Sequence, residues 1–468
     1  MPTSRIRYLP IIYGVLAIAA LVLLSVAREQ PLVFGTLRLD GLSLFFMLLV
    51  VIAPLLRWDS SPRTALLIAL AVLALTSRLT PVIALAGGVA AAIAMPHSSR
   101  LRDLVAVWHI AAAIACLVIG YGLLATRGAL WYDERNAGAA LDSLAFWFVL
   151  LAAALPLWAG SGEKTSGVIS ASPLPVLFLY PLVRLYSLGP WNPGWALATA
   201  LFGGALALRH AAGALVRPAP VAYSLSAMLA AMALASFGLS SGAGIAAGCY
   251  AALTSVLRIA DKQATAGVGP LALVFVAGWM AVGAAVAGGI AALAGALWAA
   301  ALLAALALTL RFENLNKKPD LSYKTKKTPL ATFVPFVSSW FTLRSLFLIT
   351  AILAPFVVAW LIEPAVAQLQ GGLTPYGDIR IWPWIGLAFV NSAQVQIAIL
   401  PSVAVAVLMV VLVSIVFLLT RLRSQSEDQE PEGDGQTVSS GAGDYRWLWQ
   451  ILREEVPWLA GKRQHDTE

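Results

Sequence analysis

The chain has 468 residues, 60% of them hydrophobic and 12% charged, with a formal net charge of +8. Soluble domains carry about a quarter charged residues, so the composition excludes an ordinary water-soluble enzyme. The basic excess is not a nucleic-acid signal, because its residues sit mostly in loops on one inferred side of a membrane.

Apolar runs of about 17 to 25 residues, the length of a bilayer-crossing helix, recur along most of the chain, with a shorter pair at 63–96. Backbone polar groups in lipid must be paired within their own segment, which favours helices. The alternating pattern of an outer-membrane barrel is absent. The expected fold is therefore all-α, a polytopic helical membrane protein. About fourteen spans are predicted, near 8–27, 39–57, 63–77, 80–96, 103–125, 141–160, 172–189, 194–210, 219–240, 242–259, 268–290, 291–311, 342–366 and 396–420. The first follows "RIRY" and ends in "SVAREQ". It reads either as a retained anchor or as a cleaved signal peptide, and its length favours the anchor.

Arg5, Arg7, Arg57, Arg63, Arg100, Arg102, Lys164, Arg209, Arg217, Arg258 and Lys262 fall on one side if both ends are inside. The opposite loops hold few basic residues, among them Arg38, Arg78 and Arg127. That bias places both termini in the cytoplasm and the protein in the cell (inner) membrane.

Two segments on the outer side resemble each other, "RLDGLSLFF" at 38–46 and "ALDSLAFWF" at 140–148. Each puts an aspartate, Asp40 or Asp142, before a long apolar helix that runs inward. An aspartate there caps free N–H groups and complements the helix dipole. Ion handling or catalysis is the competing reading.

Charged residues inside spans are costly and are functional candidates by default. His109 lies early in its span, in "LVAVWHIAAAIAC". Arg184 lies in "LPVLFLYPLVRLYSLGPW", close enough to the span end to snorkel. Arg258, Asp261 and Lys262, in "TSVLRIADKQA", sit at an inner helix end where they can pair. Glu163 and Lys164 occupy an inner loop, and Pro173, Pro175 and Pro181 interrupt one apolar helix. Broken helices of that kind mark ion or substrate paths in some transporters.

Beyond residue 420 the composition turns acidic and rich in Gly and Ser, as in a disordered linker. It leads to "YRWLWQILREEVPWLAGKR", an amphipathic tail helix for a membrane surface or a partner. The expected organisation is a transmembrane domain at 1–311, a basic cytoplasmic loop at 312–341, additional transmembrane helices at 342–420, an acidic linker at 421–444 and the tail helix at 445–468. Cys116 and Cys249 lie in apolar runs, and no CxxC or Cys/His cluster is present. Nor is there a Walker loop, a GxGxxG, an HExxH or a nucleophile elbow, so no metal, nucleotide or redox-cofactor site is expected in this chain.

Several segments, taken in order, resemble one family: the antiporter-like proton-translocating membrane subunits of NADH-quinone oxidoreductase. Related subunits occur in membrane-bound hydrogenases and multi-subunit cation/proton antiporters. "LDGLSLFF" resembles the family's early Asp-Gly segment. "SPLPVLFLYPLVRLY" resembles its Ala-Pro-Thr-Pro-Val-Ser helix, through Pro173, Pro175 and Val176. "ALVRPAPVAYSLSAM" resembles a basic turn followed by Ala-Tyr-Ser-Ser. "GIAAGCYAALTSVLR" resembles a helix bearing His-x3-Lys, whose positions are Thr254 and Arg258 here. "GVGPLALVF" resembles a Gly-x-Pro-Pro turn. The likeness covers residues 30 to 311.

The resemblance implies a subunit of an ion-translocating respiratory complex, with other membrane subunits as partners. Quinone, iron–sulfur and flavin centres would lie on those partners, so this chain is at most a subunit with no redox centre of its own. The family's embedded glutamate and lysine have no match here, and arginine cannot readily carry protons. The remaining candidates, Arg184, Arg258, His109, Thr254, Asp261 and Lys262, make a thin line. The expectation is a proton path lost or rerouted, with a structural or coupling role. Two alternatives stay open. One is an independent secondary transporter using the broken helix. The other is a membrane transferase acting on lipid-linked substrates, with Asp40, Asp133 or Glu134 as base or metal ligand.

Overall fold

The computed structural model describes residues 8–27, 30–56, 59, 61–94, 101–133, 141–159, 174–189, 191–216, 221–240, 242–260, 358–369, 380–382 and 388–390. The expected spans at 268–290, 291–311 and 396–420 lie outside the described residues. So do the basic loop, the acidic linker, the tail helix and most of 342–366.

The described residues are mostly helical, as the composition led us to expect. Ten helices follow in order: α1 Leu9–Val26, α2 Gly41–Leu56, α3 Pro62–Thr76, α4 Thr80–Ala94, α5 Leu101–Thr126, α6 Ser143–Ala159, α7 Leu174–Arg184, α8 Pro193–Val216, α9 Val221–Phe237 and α10 Gly242–Ala260. Their starts carry local signals. Ser61 caps α3 by accepting from the Thr64 N–H, with Pro62 at the first helical position. Asn192 does the same before α8, its Oδ1 accepting from the Gly194 N–H at 2.9 Å.

Short connections make successive helices antiparallel neighbours. α1 packs on α2, α3 on α4, α4 on α5, α5 on α6, α8 on α9 and α9 on α10. One end of the bundle gathers the start of α2, the α3–α4 turn, the end of α5 and the starts of α6 and α8. We refer to it as the Asp40 end. α2 is the central helix, with every residue from Gly41 to Val51 buried.

The outward faces are apolar too. In α1, Tyr13, Ala17, Ala20 and Leu24 point inward, while Ile11, Val15, Ile18, Val22 and Val26 form an exposed stripe on the other face. A helix apolar all round belongs in lipid or in a large core. Among the described residues, α1 and the Val107–Thr126 part of α5 are long and apolar enough to cross a membrane.

Three features depart from the expected spans. First, the all-α expectation omits two short hairpins. β1 Leu32–Phe34 pairs antiparallel with β2 Leu37–Leu39 between α1 and α2. β3 Arg380–Trp382 pairs with β4 Ala388–Val390. A connecting segment outside the helices must still satisfy its N–H and C=O groups, and tight hairpins do so locally. Second, among the described residues the 172–189 span is α-helical only over α7. Pro181 removes one backbone donor, and the chain tightens to a 3-10 turn at Leu185–Ser187. Third, the described part of the 342–366 span is a π-helical turn, Val358–Ile362, followed by the short helix α11, Glu363–Ala367.

That last segment explains a glycine. α11 packs against α2 and α10, and a Cβ on Gly41 would collide with the Pro364 carbonyl. Gly41→Ala is expected to cost about 1–3 kcal/mol, the usual scale of overpacking. Thermal unfolding of the purified variant in mild detergent measures it.

Candidate functional site

The Asp40 end holds a chain of charged side chains that local structure positions one by one. β2 supplies Arg38, and Asp40 stands between β2 and α2. The α3–α4 turn supplies Arg78, and the segment after α5 supplies Tyr132 and Asp133. Backbone hydrogen bonds tie these pieces together. The Arg78 N–H donates to Thr36 O at 2.9 Å, Thr80 N–H to Leu130 O at 3.0 Å and Tyr132 N–H to Arg78 O at 3.2 Å. α7 brings Arg184 up from below.

Asp40 caps α2. Its Oδ1 accepts the Ser43 N–H at 2.9 Å, and the Ser43 hydroxyl accepts the Asp40 N–H at 2.9 Å. This is a reciprocal capping arrangement with serine in the return role. The second carboxylate oxygen, Oδ2, takes Arg184 Nη2 at 2.7 Å and lies 3.2 Å from Arg38 Nε. Arg38 Nη1 reaches on to Asp133 Oδ2 at 3.1 Å. Arg78 grips Asp133 with two bonds, Nε to Oδ2 at 2.9 Å and Nη2 to Oδ1 at 3.1 Å. The order Arg78, Asp133, Arg38, Asp40, Arg184 runs from partly exposed groups to the interior. Asp40 and Arg184 are 0% and 2% exposed.

Tyrosines line the buried end. The Arg184 guanidinium lies 4.0 Å from the Tyr132 ring centroid and hydrogen-bonds the Tyr132 hydroxyl. Tyr180 and Tyr121 are buried nearby on α7 and α5. Their hydroxyls donate to the Leu75 and Pro181 carbonyls, each at 2.7 Å.

Burial alone would push the Asp40 carboxyl up. The Arg184 charge and hydrogen bond, the Ser43 N–H and Arg38 outweigh it and hold Asp40 below the usual carboxylate range. Burial, opposed by the Arg184 charge, pushes the Tyr132 phenol up, and its neutral hydroxyl oxygen accepts from Arg184. The lowered Asp40 value fixes the sign of a pH effect. Its contribution to stability is full above the unfolded carboxylate value, about 4, and is lost as pH falls through the folded value. Unfolding midpoints are therefore expected to be flat in Asp40's contribution across neutral pH. The acid-side loss should shrink in Asp40→Asn, as melts on both proteins would measure.

Chemically, the arrangement is a chain of ion pairs. Guanidinium groups stay protonated, and Asp40 stays ionised. It braces α2, β2 and α7 to the end of α5. The transferase alternative loses support, because Asp40 and Asp133 are both engaged by arginines. Among the described residues no cluster of three His, Cys, Asp or Glu side chains can hold a metal. Glu134 lies outside the described residues.

The other sequence candidates are dispersed. Asp142 caps α6 through the Ala145 N–H at 2.9 Å and pairs with Arg127 on a partly exposed surface. His109 is half-buried early in α5, about 26 Å of helix from the Thr126 end. Thr254 is buried on α10, and its hydroxyl donates to the carbonyls of Tyr250 and Ala251 at 3.0 Å each. It lies about 18 Å along α10 from Gly242, which packs on Val366. Arg258 is on the last turn of α10, and Asp261, Lys262, Glu163, Lys164 and Pro173 lie outside the described residues. Of the described proton-path candidates, Arg184 enters the ion-pair chain. Its expected outward snorkelling is replaced by an inward pair, because Asp40 offers a buried counter-charge. Sequence reasoning missed Arg38, Arg78 and Tyr132 as partners. It also missed His210, buried on α8 with Nε2 2.9 Å from Leu157 O.

No family model matches the chain, and no curated protein matches it. Solved structures do. A chain of the Mrp complex from Dietzia sp. DQ12-45-1b superposes with a TM-score of 0.57 at 14% identity, over 97% of this chain and 60% of that one. This protein therefore spans 60% of the length of the Mrp chain it matches, and the two share a fold. A chain of respiratory complex I from Thermus thermophilus gives a TM-score of 0.49 at 17% identity, over 74% of this chain and 94% of that one.

Proposed function

We propose that the chain is a multi-pass membrane subunit of an ion-translocating, NADH-quinone oxidoreductase-like respiratory complex. Its own proton path is degenerate, and its part is structural or coupling. The observation that carries this is the Asp40–Arg184 pair, with its single carboxylate oxygen at 2.7 Å from the guanidinium. It occupies the junction of the Asp-Gly segment and the broken, Pro-rich helix, two of the five motifs that carry the sequence resemblance. Both groups there are charged at neutral pH, so on this reading a brace stands where a titrating relay would be needed. The fold shared with the Mrp-complex chain supports the subunit reading, as do the apolar outward faces.

On this reading the Asp40 end faces outward, the termini lie inside, and the inner cell membrane holds the protein. Other membrane subunits flank it. Electron transfer, with its quinone, flavin and iron–sulfur centres, takes place on partners. Mild-detergent purification of tagged protein from its native membrane, followed by mass spectrometry, tests the proposal. Quinone-reductase-type or hydrogenase-type subunits in fixed stoichiometry are expected. A protein that comes out stable and alone would sink the reading. Proteoliposome flux from the isolated chain would then favour a transporter built around the Pro181 break.

A further inference from the structure

At the far end of the bundle from Asp40, α6 and α8 meet lipid-facing surface. Phe146 near the start of α6 stacks on Trp195 near the start of α8, with ring centroids 4.7 Å apart. From that level, Trp158 lies about 18 Å and Arg209 about 21 Å farther along their helices. Both therefore lie in the far half of a hydrocarbon layer about 30 Å thick, with Trp158 one residue from the end of α6. The charge pattern of the sequence puts this side inside the cell.

Three observations single out Arg209. It ends an outward stripe on α8 made of Leu201, Phe202 and Ala205, all exposed. Its guanidinium carbon lies over the Trp158 indole, 3.8 Å from the ring centroid, and Trp158 itself is 50% exposed. Its Nη1 is buried with no hydrogen-bond partner among the described residues. Two other described basic side chains at this end meet helix C-terminal carbonyls. Arg63 Nε donates to Ile93 O at 2.7 Å, and His210 bonds Leu157 O. With Leu157 O taken by His210, that carbonyl does not answer Arg209.

A guanidinium at a lipid-facing surface without an anion is costly. One stacked on a tryptophan is fixed in place, and its N–H groups other than the buried Nη1 are the ones left to meet phosphate oxygens. We propose that Arg209 and Trp158 form a binding site for the phosphate of an anionic phospholipid in the leaflet at this end. Trp158 positions the guanidinium, and Leu201 and Phe202 lie along the acyl chains. The inference requires that the chain span a membrane and does not depend on which complex it joins. Co-purifying subunits and bound lipid are separate readouts.

The test places purified protein in nanodiscs of phosphatidylcholine, with and without phosphatidylglycerol, and reads retained lipid by native mass spectrometry. Wild type is expected to carry phosphatidylglycerol in preference to phosphatidylcholine. Arg209→Ala should weaken that preference about fivefold, the effect of one basic side chain at an anionic surface. Arg209→Lys keeps the charge without the guanidinium and should fall between. It also serves if the alanine variant melts in pure phosphatidylcholine. Equal preference in wild type and both variants would overturn the site. Displacement of the lipid by inorganic phosphate would assign a free anion instead and would also overturn it.

Discussion

Arg184→Ala is expected to destabilise the protein by about 3–5 kcal/mol, the largest single effect of any substitution considered. The loss is not the removal of a favourable contact alone. It leaves Asp40, fully buried, with its Oδ2 facing only the more distant Arg38 Nε. An uncompensated buried charge is the expensive species, because the interior cannot solvate it. Asp40→Asn should cost a similar amount, since it strands the guanidinium. The double variant Asp40→Leu, Arg184→Met removes both charges and keeps most of the volume. It is expected to be markedly more stable than either single charge deletion, because a well-packed apolar pair often matches a buried ion pair. Thermal unfolding of wild type, Asp40→Leu, Arg184→Met and the double variant in one detergent closes the cycle. Additive losses would mean that the two residues do not act as a pair. A functional coupling role adds a separate expectation. The double variant should assemble with its partners yet lower ion translocation per electron transferred.

Gly203→Val is expected to cost about 3 kcal/mol or more, at or above the top of the overpacking range. α8 and α9 approach so closely at this point that an added Cβ would enter the backbone of Ala235 and press on the Ala231 carbonyl. Neither is a flexible side chain that can move aside, so the helices must separate. In a membrane the close contact of small residues is itself a source of helix association, because lipid supplies no hydrophobic drive between helices. The same valine at Gly204, where a Cβ meets nothing within 4 Å, should be far milder. Comparing the two variants in a melt separates a packing effect from a loss of glycine as such.

Much of the helical architecture was legible along the chain. Apolar runs of spanning length, with Asp, Ser or Asn at their starts, predict most of α1–α10 to within a few residues. The physics is local: lipid forces each segment to pair its own backbone, and a capping side chain marks where it begins. The start of α2 at Asp40 and of α6 at Asp142 needed nothing more than three or four neighbouring residues. The resemblance read from "LDGLSLFF" and the Pro-rich helix likewise lives in short segments, and the fold shared with the Mrp-complex chain agrees with it.

What the sequence could not contain was the meeting of distant charges. Arg38, Arg78, Asp133 and Arg184 lie in four separate segments and read singly as loop residues or a snorkelling arginine. Only the packing of α7 against α2, with the hairpin laid across the α3–α4 turn, makes them one chain ending in a buried pair. The same holds for Gly41, whose reason is a carbonyl more than three hundred residues away, and for Arg209, whose exposed face depends on Trp158. Helix formation in lipid is decided within each segment. The partner of a charge is decided by which segments are brought side by side, and that is a property of the tertiary fold alone.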